Sequence, residues 1–478
     1  MEALGKKIVK GVTYNAGSRI LMVGIQGITS IILARILSSS DYGVVAFAAV
    51  FISFLSQFSD FGVSSAIIQR KNIDAKILNT AFTIRNAVSI VLVFLATVMS
   101  FVVPIYFDIA HVDWIIRLLA LNFILNSLAF ISSSLLRRKM EFFAYNLAQL
   151  FSTLAGSLSA IALAFLGYGF WSLVFSNILS SLAYAVIINR FHRVKLRIEF
   201  DMEVAKEIWR FGFYVFLSGL FVYALFNADN FIVGAIKGTQ ALGYYSLAFD
   251  WGTKISTLLS LTVLSVLFPA YSRIKDDKEK LKKAYLDSVK YVSFLSIMVN
   301  GTLFCISEDF LKIVLGGGTD KWLPALSSFR ILCIYGIVRA ILEPLGNVIM
   351  ALGDSKVLLK ANAIASAVQL LLLYPALNFW GIEGVAVLVF ISYALQYFIY
   401  IPYIKNRVDI SFASFGLSLF IPVFSSTTFF IVFILYRHLN TSESIVGIVF
   451  KSLIYLLLYV ILFCTATKFQ FLKDLKSL

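Results

Sequence analysis

Charged side chains are scarce in this chain. They make up 14% of 478 residues, against about 25% in an ordinary soluble domain, while 60% of positions are hydrophobic and mean hydropathy is +0.88. The solvent that suits such a surface is lipid. Only three cysteines occur, Cys305, Cys333 and Cys464, far apart and in or beside apolar segments. That spacing yields neither a disulfide framework nor a metal knuckle, so they read as small buried hydrophobes. His111, His192 and His438 fall in separate polar breaks, which leaves a zinc or haem site without support. No cofactor is expected. There is no GxxxxGK[ST] loop and no large polar domain, which excludes ATP hydrolysis in the P-loop manner. Acidic residues are outnumbered, 26 to 41, for a net charge of +15. In a soluble protein that would suggest nucleic acid, but here the basic excess sits in alternate breaks between apolar runs, so it reads as membrane topology and not as a nucleic-acid partner.

Windows long enough to cross roughly 30 Å of hydrocarbon number about fourteen. They cover 12–37, 43–69, 79–104, 114–136, 145–166, 170–190 and 210–236 in the first half. The remainder are 242–270, 290–315, 323–351, 357–378, 381–404, 412–436 and 445–467. The first follows Lys6, Lys7 and Lys10 and runs to about Leu37, too long for a signal-peptide core of roughly 7–15 residues. Lys and Arg collect at the amino terminus and near residues 70–76, 137–139, 190–210, 273–290, 356–360, 405–407 and 468–476. The other breaks hold Asp108, Asp113, Lys237, Glu308, Asp309, Asp320, Glu383 and Glu443. The basic side is expected to be cytoplasmic, with both termini on it. The stretch 273–290, which alternates acidic and basic residues, is expected to form a surface helix there.

An internal repeat emerges when the chain is shifted by 200 residues. Ile36, Gly43, Ala48, Val63 and Ser65 then meet Ile236, Gly243, Ala248, Val263 and Ser265. A shift of 215 sets Gly169, Leu173, Val174 and Phe175 on Gly384, Leu388, Val389 and Phe390. Six spans separate the copies, an even number, which is the parallel-repeat plan of transporters with a substrate path between halves. The expected fold is all-α and integral to the membrane, two six-helix lobes around a central cavity plus two extra C-terminal helices. The corresponding domains are an N-lobe at 1–192, a linker at 193–209, a C-lobe at 210–406, and helices thirteen and fourteen with a tail at 407–478.

Polar residues inside such spans face a bundle interior or a wet cavity. Asn15, Arg19, Gln26 and Ser30 form one helical stripe, and Ser53, Gln57, Asp60 and Ser64 another. Arg85, Asn86 and Ser89 add to the set, as do Tyr223, Asn227, Asp229 and Asn230. Two further stripes are Ser246, Asp250, Lys254, Thr257 and Arg339, Glu343, Asn347. Asp250 with Lys254, and Arg339 with Glu343, stand four apart and could neutralise each other as structural pairs. Asn and Ser stripes can serve only to glue helices together, and Arg35 at a span end is placed to snorkel. Arg19, Arg85 and Asp60 have no partner in local sequence and read as cavity residues. The depth of the two arginines suits a diphosphate headgroup taken from the inner leaflet, because guanidinium binds phosphate oxygens bidentately. Asp60, Asp229, Glu343 and Asp250 are the candidate ion-coupling carboxylates; Arg19, Arg85, Lys254 and Arg339 are the candidate substrate-binding cations.

The run IILARILSSSDYGVVAFAAVFISFLSQFSDFGVSSAIIQRK, residues 31–71, resembles the amino-terminal signature of bacterial polysaccharide flippases of the Wzx and teichuronic-acid exporter type. These belong to the multidrug/oligosaccharidyl-lipid/polysaccharide exporter superfamily. Residues 229–250, 267–285 and 321–336 resemble the same family. The resemblance implies a fourteen-helix secondary transporter, not an enzyme, rocking between inward-open and outward-open states in the bacterial plasma membrane. It further implies undecaprenyl-diphosphate-linked oligosaccharide as substrate, proton coupling in several relatives, and membrane lipids and polysaccharide polymerase machinery as partners. Asp60 and Asp229 stand in matching motifs, whereas the Asp250/Lys254 pair has no family counterpart. Three rivals remain open at this point: a drug or organic-cation exporter of the same superfamily, a membrane polymerase or ligase, and a passive scramblase.

Overall fold

A computed structural model of the chain describes residues 2–60, 63, 67, 74–139, 141–192, 194, 197–410, 413–425 and 445–467. Lipid offers backbone N–H and C=O groups no partners, so long apolar runs satisfy them by coiling into helices. The first six helices are α1 (Glu2–Ile36), α2 (Ser39–Asp60), α3 (Ala75–Tyr106), α4 (Val112–Arg138), α5 (Phe142–Phe165) and α6 (Trp171–Phe191). Next come α7 (Met202–Ile274), α8 (Lys278–Cys305), α9 (Leu326–Ala351) and α10 (Ser355–Val408), with α11 (Ala413–Ser425) and α12 (Ile445–Ala466) last. No strand occurs among the described residues. Nine segments among them are long and apolar enough to cross a membrane. The chain is an all-helical, multi-pass membrane protein.

Two helices are far longer than a bilayer requires, and each is broken once by a glycine. Gly238 in α7 takes φ 80°, ψ 179°, and Gly381 in α10 takes φ 62°, ψ −150°, backbone open to glycine and costly for residues with a Cβ. Across the first break Tyr245 reaches back to Asp229, so the chain turns back on itself between residues 229 and 245.

The chain divides into two compact units, Met1–Ser246 and Leu247–Leu478. Within the first, helices are held by small side chains and short polar bonds. A Cβ on Gly156 of α5 would come 2.8 Å from the Ser180 Cβ of α6, and Ser180 donates to the Ser152 carbonyl at 3.0 Å. Asn122 Nδ2 donates to Asn177 Oδ1 at 2.8 Å, and Ser132 donates to Asn189 Oδ1 at 2.6 Å. Such bonds contribute about 0.6 kcal/mol each in a bilayer, so close packing carries most of the association.

Helix α7 begins at Met202, inside the stretch read from sequence as linker, and residues 197–201 before it have no regular secondary structure. That piece is strapped to the first turns of α3. The Arg197 amide donates to Asn79 Oδ1 at 3.1 Å, the Glu199 amide to Thr83 Oγ1 at 3.0 Å, and the Asp201 amide to Thr80 Oγ1 at 3.2 Å. Lys76 Nζ closes the strap on Asp201 at 2.6 Å. The hydrogen bond from Lys76 holds the Asp201 carboxyl below its ordinary value. Its contribution is therefore present above the unfolded carboxylate pKa and lost as pH falls through the lowered one. Amide exchange protection at 197–201 should be pH-independent near neutrality, drop on acidification, and be lower at every pH in Asp201→Asn; equal protection in the variant would show that the backbone bonds suffice.

The first turns of α2 meet the kink of α7 in a reciprocal contact. A Cβ on Gly43 would fall 1.7 Å from the Thr239 carbonyl oxygen, and one on Gly243 would fall 1.8 Å from that of Ser39. Ser40 Oγ lies 3.1 Å from Thr239 Oγ1. Below this point Phe47 stacks on Phe231, with centroids 6.2 Å apart, and packs edge-on against Phe51 and Phe107. Deeper still, the Tyr223 hydroxyl donates to the Val50 carbonyl at 2.7 Å. One seam thus joins residues 39–50 of α2 to residues 223–243 of α7.

In the second unit α8, α9 and α10 share a core built on Tyr285, Val289, Ile341, Leu345, Tyr400 and Ile404. Phe294 of α8 packs on Phe463 and Tyr459 of α12. Residues 278–290 do form a helix, but it is the start of α8, not a separate surface element, because Asp277 caps it through the Lys280 amide at 3.1 Å and the periodicity runs on unbroken. Lys282 meets Asp409 at 3.4 Å, and Arg407 meets Asp354 at 3.5 Å, with Tyr403 donating to the same carboxylate. All three cysteines are buried as free thiols.

Candidate functional site

The charged residues singled out from sequence divide evenly: Arg19, Asp60, Arg85 and Asp229 belong to the first unit, Asp250, Lys254, Arg339 and Glu343 to the second. In the first unit Asp229 is fully buried. It sits on the first arm of α7, accepting from the Tyr245 hydroxyl at 2.6 Å and from the Asn230 amide at 2.9 Å. Tyr245 is reached only because the kink at Gly238 turns the chain back between residues 229 and 245. A carboxylate bonded this way is held in one orientation at membrane depth. The side chains of Asp60, Asn15 and Ser64 lie outside the described residues.

Arg85 stands ten residues into α3, about 15 Å along its axis. It is 8% exposed, with its guanidinium 5.3 Å from the ring centre of Phe130 on α4, an arrangement that offsets part of its desolvation through cation–π attraction. Arg19 is half-buried on α1 and Arg35 is exposed at that helix's end, as a snorkelling residue should be. The polar stripes sort differently. Ser89, Asn86 and Gln57 return hydrogen bonds to carbonyls four residues earlier on their own helices, a local solution to polar groups in lipid. Asn86 also accepts from Ser127 of α4 at 2.9 Å, so it ties α3 to α4.

In the second unit Lys254 Nζ lies 2.7 Å from Asp250 Oδ2 and 4.9 Å from the Trp251 ring centre. The pair forms along one helix as the spacing allows, and the lysine is also occupied by its aromatic neighbour. Arg339 and Glu343 do not stand alone as a pair. Tyr335, Tyr393, Tyr397 and Tyr400 are their electrostatic neighbours on α9 and α10. Tyr335 and Tyr393 meet edge to face, centroids 5.3 Å apart, and the Tyr397 hydroxyl donates to the Val338 carbonyl at 2.7 Å. The tyrosines were invisible to a reading that counted charged and amide groups. The available signal was their own spacing, 393 and 397 on α10, matching 335, 339 and 343 on α9 at four-residue intervals.

Residues 32–327, well over half of the chain, match the family described as polysaccharide biosynthesis protein. The lipopolysaccharide biosynthesis protein WzxC of Escherichia coli K12 is 24% identical over 435 residues, covering 89% of this chain and 86% of that one. The teichuronic acid biosynthesis protein TuaB of Bacillus subtilis 168 is 24% identical over 358 residues, 74% of this chain and 73% of its own. Among solved structures, the lipid II flippase MurJ in an inward closed conformation superposes with a TM-score of 0.77 at 17% identity, covering 98% of this chain and 99% of that one. That likeness extends the shared fold over nearly the whole length, and the match over 32–327 supplies the kinship: the chain belongs to the polysaccharide biosynthesis protein family.

Proposed function

We propose that the chain moves a lipid-linked oligosaccharide, carried on undecaprenyl diphosphate, from the cytoplasmic to the outer leaflet of the bacterial plasma membrane by alternating access. In this reading there are fourteen spans, with α7 and α10 each supplying two, arranged as N-lobe 1–192 and C-lobe 210–406 joined by the linker 193–209, plus helices thirteen and fourteen. Both termini are cytoplasmic by the distribution of Lys and Arg. No covalent bond changes, and the carried lipid is handed on to polymerase machinery outside.

The observation that carries this reading is the Arg85 guanidinium, kept at membrane depth in a polysaccharide biosynthesis family member. On insertion scales an arginine costs up to about 2.5–3.5 kcal/mol, the value for the middle of a span, and less at the depth of Arg85. A leucine would serve packing better, so the charge is retained for a ligand, and diphosphate is the ligand whose oxygens match a guanidinium fork. Arg19 is its companion in this role. Of the carboxylates, Asp229 is assigned the ion-coupling step and Asp60 the same as its alternate; Asp250 is engaged by Lys254 and Glu343 by Arg339.

Deleting the gene should trap lipid-linked glycan in the inner leaflet, and Arg19→Ala with Arg85→Ala should reproduce the block. The readout is accessibility of the glycan to an external modifying enzyme in spheroplasts. Normal surface polymer in the double variant would remove both arginines from the site.

A further inference from the structure

We infer that the groove between α2 and α3 seats the polyprenyl chain of the substrate, as one hydrocarbon strand that crosses the bilayer midplane. This rests on the flippase reading and names the part of the substrate that Arg19 and Arg85 do not address.

The groove lies within the first unit and has a volume of about 540 Å³. Its walls are Phe54, Leu55 and Phe58 of α2 and seven residues of α3 between Ala87 and Met99, all of them apolar. Leu55 and Leu92 are buried and make the floor, while Phe54, Val91 and Leu95 are exposed and make the rims. Water finds no partner on such walls, so at membrane depth hydrocarbon is what fills the groove.

Depth and continuity select which hydrocarbon. The apolar run 79–104 of α3 is centred near residue 92, so the lining from Ala87 to Met99 reaches about 7 Å to one side of the midplane and about 10 Å to the other, at 1.5 Å per residue. A phospholipid acyl chain of either leaflet stops near the middle of a roughly 30 Å core and covers one end only. An undecaprenyl chain, far longer than one leaflet is thick, runs through both. Arg85, Val88, Leu92, Leu95 and Met99 follow at intervals of three and four along α3, so the buried guanidinium heads the same stripe that forms the groove. A diphosphate held at Arg85 delivers its first isoprene unit to Val88, one turn further on. The tail gains no hydrophobic energy by leaving the bulk lipid, which is as apolar as valine. What it gains is close packing, against the edge-to-face pair Phe54 and Phe58 with centroids 5.4 Å apart, and a fixed direction.

The test uses the full-length protein in nanodiscs of phosphatidylethanolamine and phosphatidylglycerol, with undecaprenyl diphosphate carrying a photoactivatable diazirine midway along its chain. Mass spectrometry of the labelled peptides should place the cross-links at 54–58 and 87–99. Excess unlabelled undecaprenyl diphosphate should suppress them about tenfold, equivalent to about 1.4 kcal/mol, and the same excess of phosphatidylglycerol should not. Val91→Trp, which fills the groove from its rim, should lower labelling by about the same factor. Ile90→Trp, exposed and outside the lining, should leave it unchanged. The mapping and competition in wild type stand whether or not the Val91→Trp chain folds. Cross-links confined to other helices, suppression by phosphatidylglycerol as strong as by undecaprenyl diphosphate, undiminished labelling in Val91→Trp or equal loss in Ile90→Trp would overturn the groove as the polyprenyl seat, while leaving the flippase reading to its own transport assay. No labelling anywhere in the protein would overturn both.

Discussion

Adding one methyl group at Gly43 should open the seam between α2 and α7. The Cβ of an alanine there would fall 1.7 Å from the Thr239 carbonyl oxygen and 2.5 Å from its carbon. Both obstacles are backbone, so no rotamer change relieves them. Gly43→Ala must push the helices apart, at a cost typical of overpacking, about 1–3 kcal/mol or more. Gly243→Ala meets the Ser39 carbonyl oxygen at 1.8 Å and should behave the same way. The two contacts are reciprocal, each glycine resting on the residue four positions before the other. Since 1.4 kcal/mol is a factor of ten in an equilibrium, either variant should shift the closed seam roughly tenfold to a hundredfold toward open. A disulfide between Ser40→Cys and Thr239→Cys reports it, as their hydroxyls are 3.1 Å apart. Cross-linking should be near complete in the glycine background and fall about tenfold when Gly43→Ala is added. Undiminished cross-linking would mean the seam tolerates the methyl group and the reciprocal contact is not what closes it.

Asp229→Asn should abolish gradient-driven transport while sparing the fold. The side chain is fully buried, and its two acceptor contacts, from Tyr245 at 2.6 Å and Asn230 at 2.9 Å, orient it. Asparagine keeps the shape and one acceptor oxygen, and the Tyr245 hydroxyl can turn to accept from the new amide. Stability should therefore change by no more than about 1 kcal/mol, the net worth of one hydrogen bond. What asparagine cannot do is exchange a proton or neutralise a bound cation. Transport in inverted vesicles with an imposed ion gradient should fall at least about a hundredfold, as expected when a group acting as a unit with the driving ion is lost. Tyr245→Phe separates orientation from charge. It leaves the carboxylate short of a donor and should cost about 1–3 kcal/mol of stability, with transport reduced but still gradient-dependent. Full transport in Asp229→Asn and in Asp60→Asn together would sink ion coupling at these residues and favour a passive scramblase.

The helical elements were largely legible before any coordinates. Span edges such as 145–166 against Phe142–Phe165, or 323–351 against Leu326–Ala351, agree within a few residues. In lipid, apolar length alone forces a helix, and no competing strand pattern exists. The errors lie in polar segments, where hydropathy says nothing about backbone geometry. Residues 202–209 and 278–290 are continuous with the helices that follow them. The site was legible by residue type but not by role. Nothing in the spacing of Asn86 separates a residue lining water from one that binds a neighbouring helix. Asp250 and Lys254 show the opposite case, a helix-local pair that four-residue spacing anticipates and the geometry forms at 2.7 Å.

Sequence alone determined that this chain lives in lipid and crosses it many times as helix, because hydropathy and charge asymmetry are properties of the linear order. Tertiary structure decided which polar groups meet. Asp229 finds Tyr245 only because Gly238 turns the helix back on itself, and Tyr393 and Tyr397 find Tyr335 and the Val338 carbonyl only because α10 packs along α9 in one register. Those pairings depend on angles between helices that packing sets side chain by side chain, and no period in the sequence encodes them.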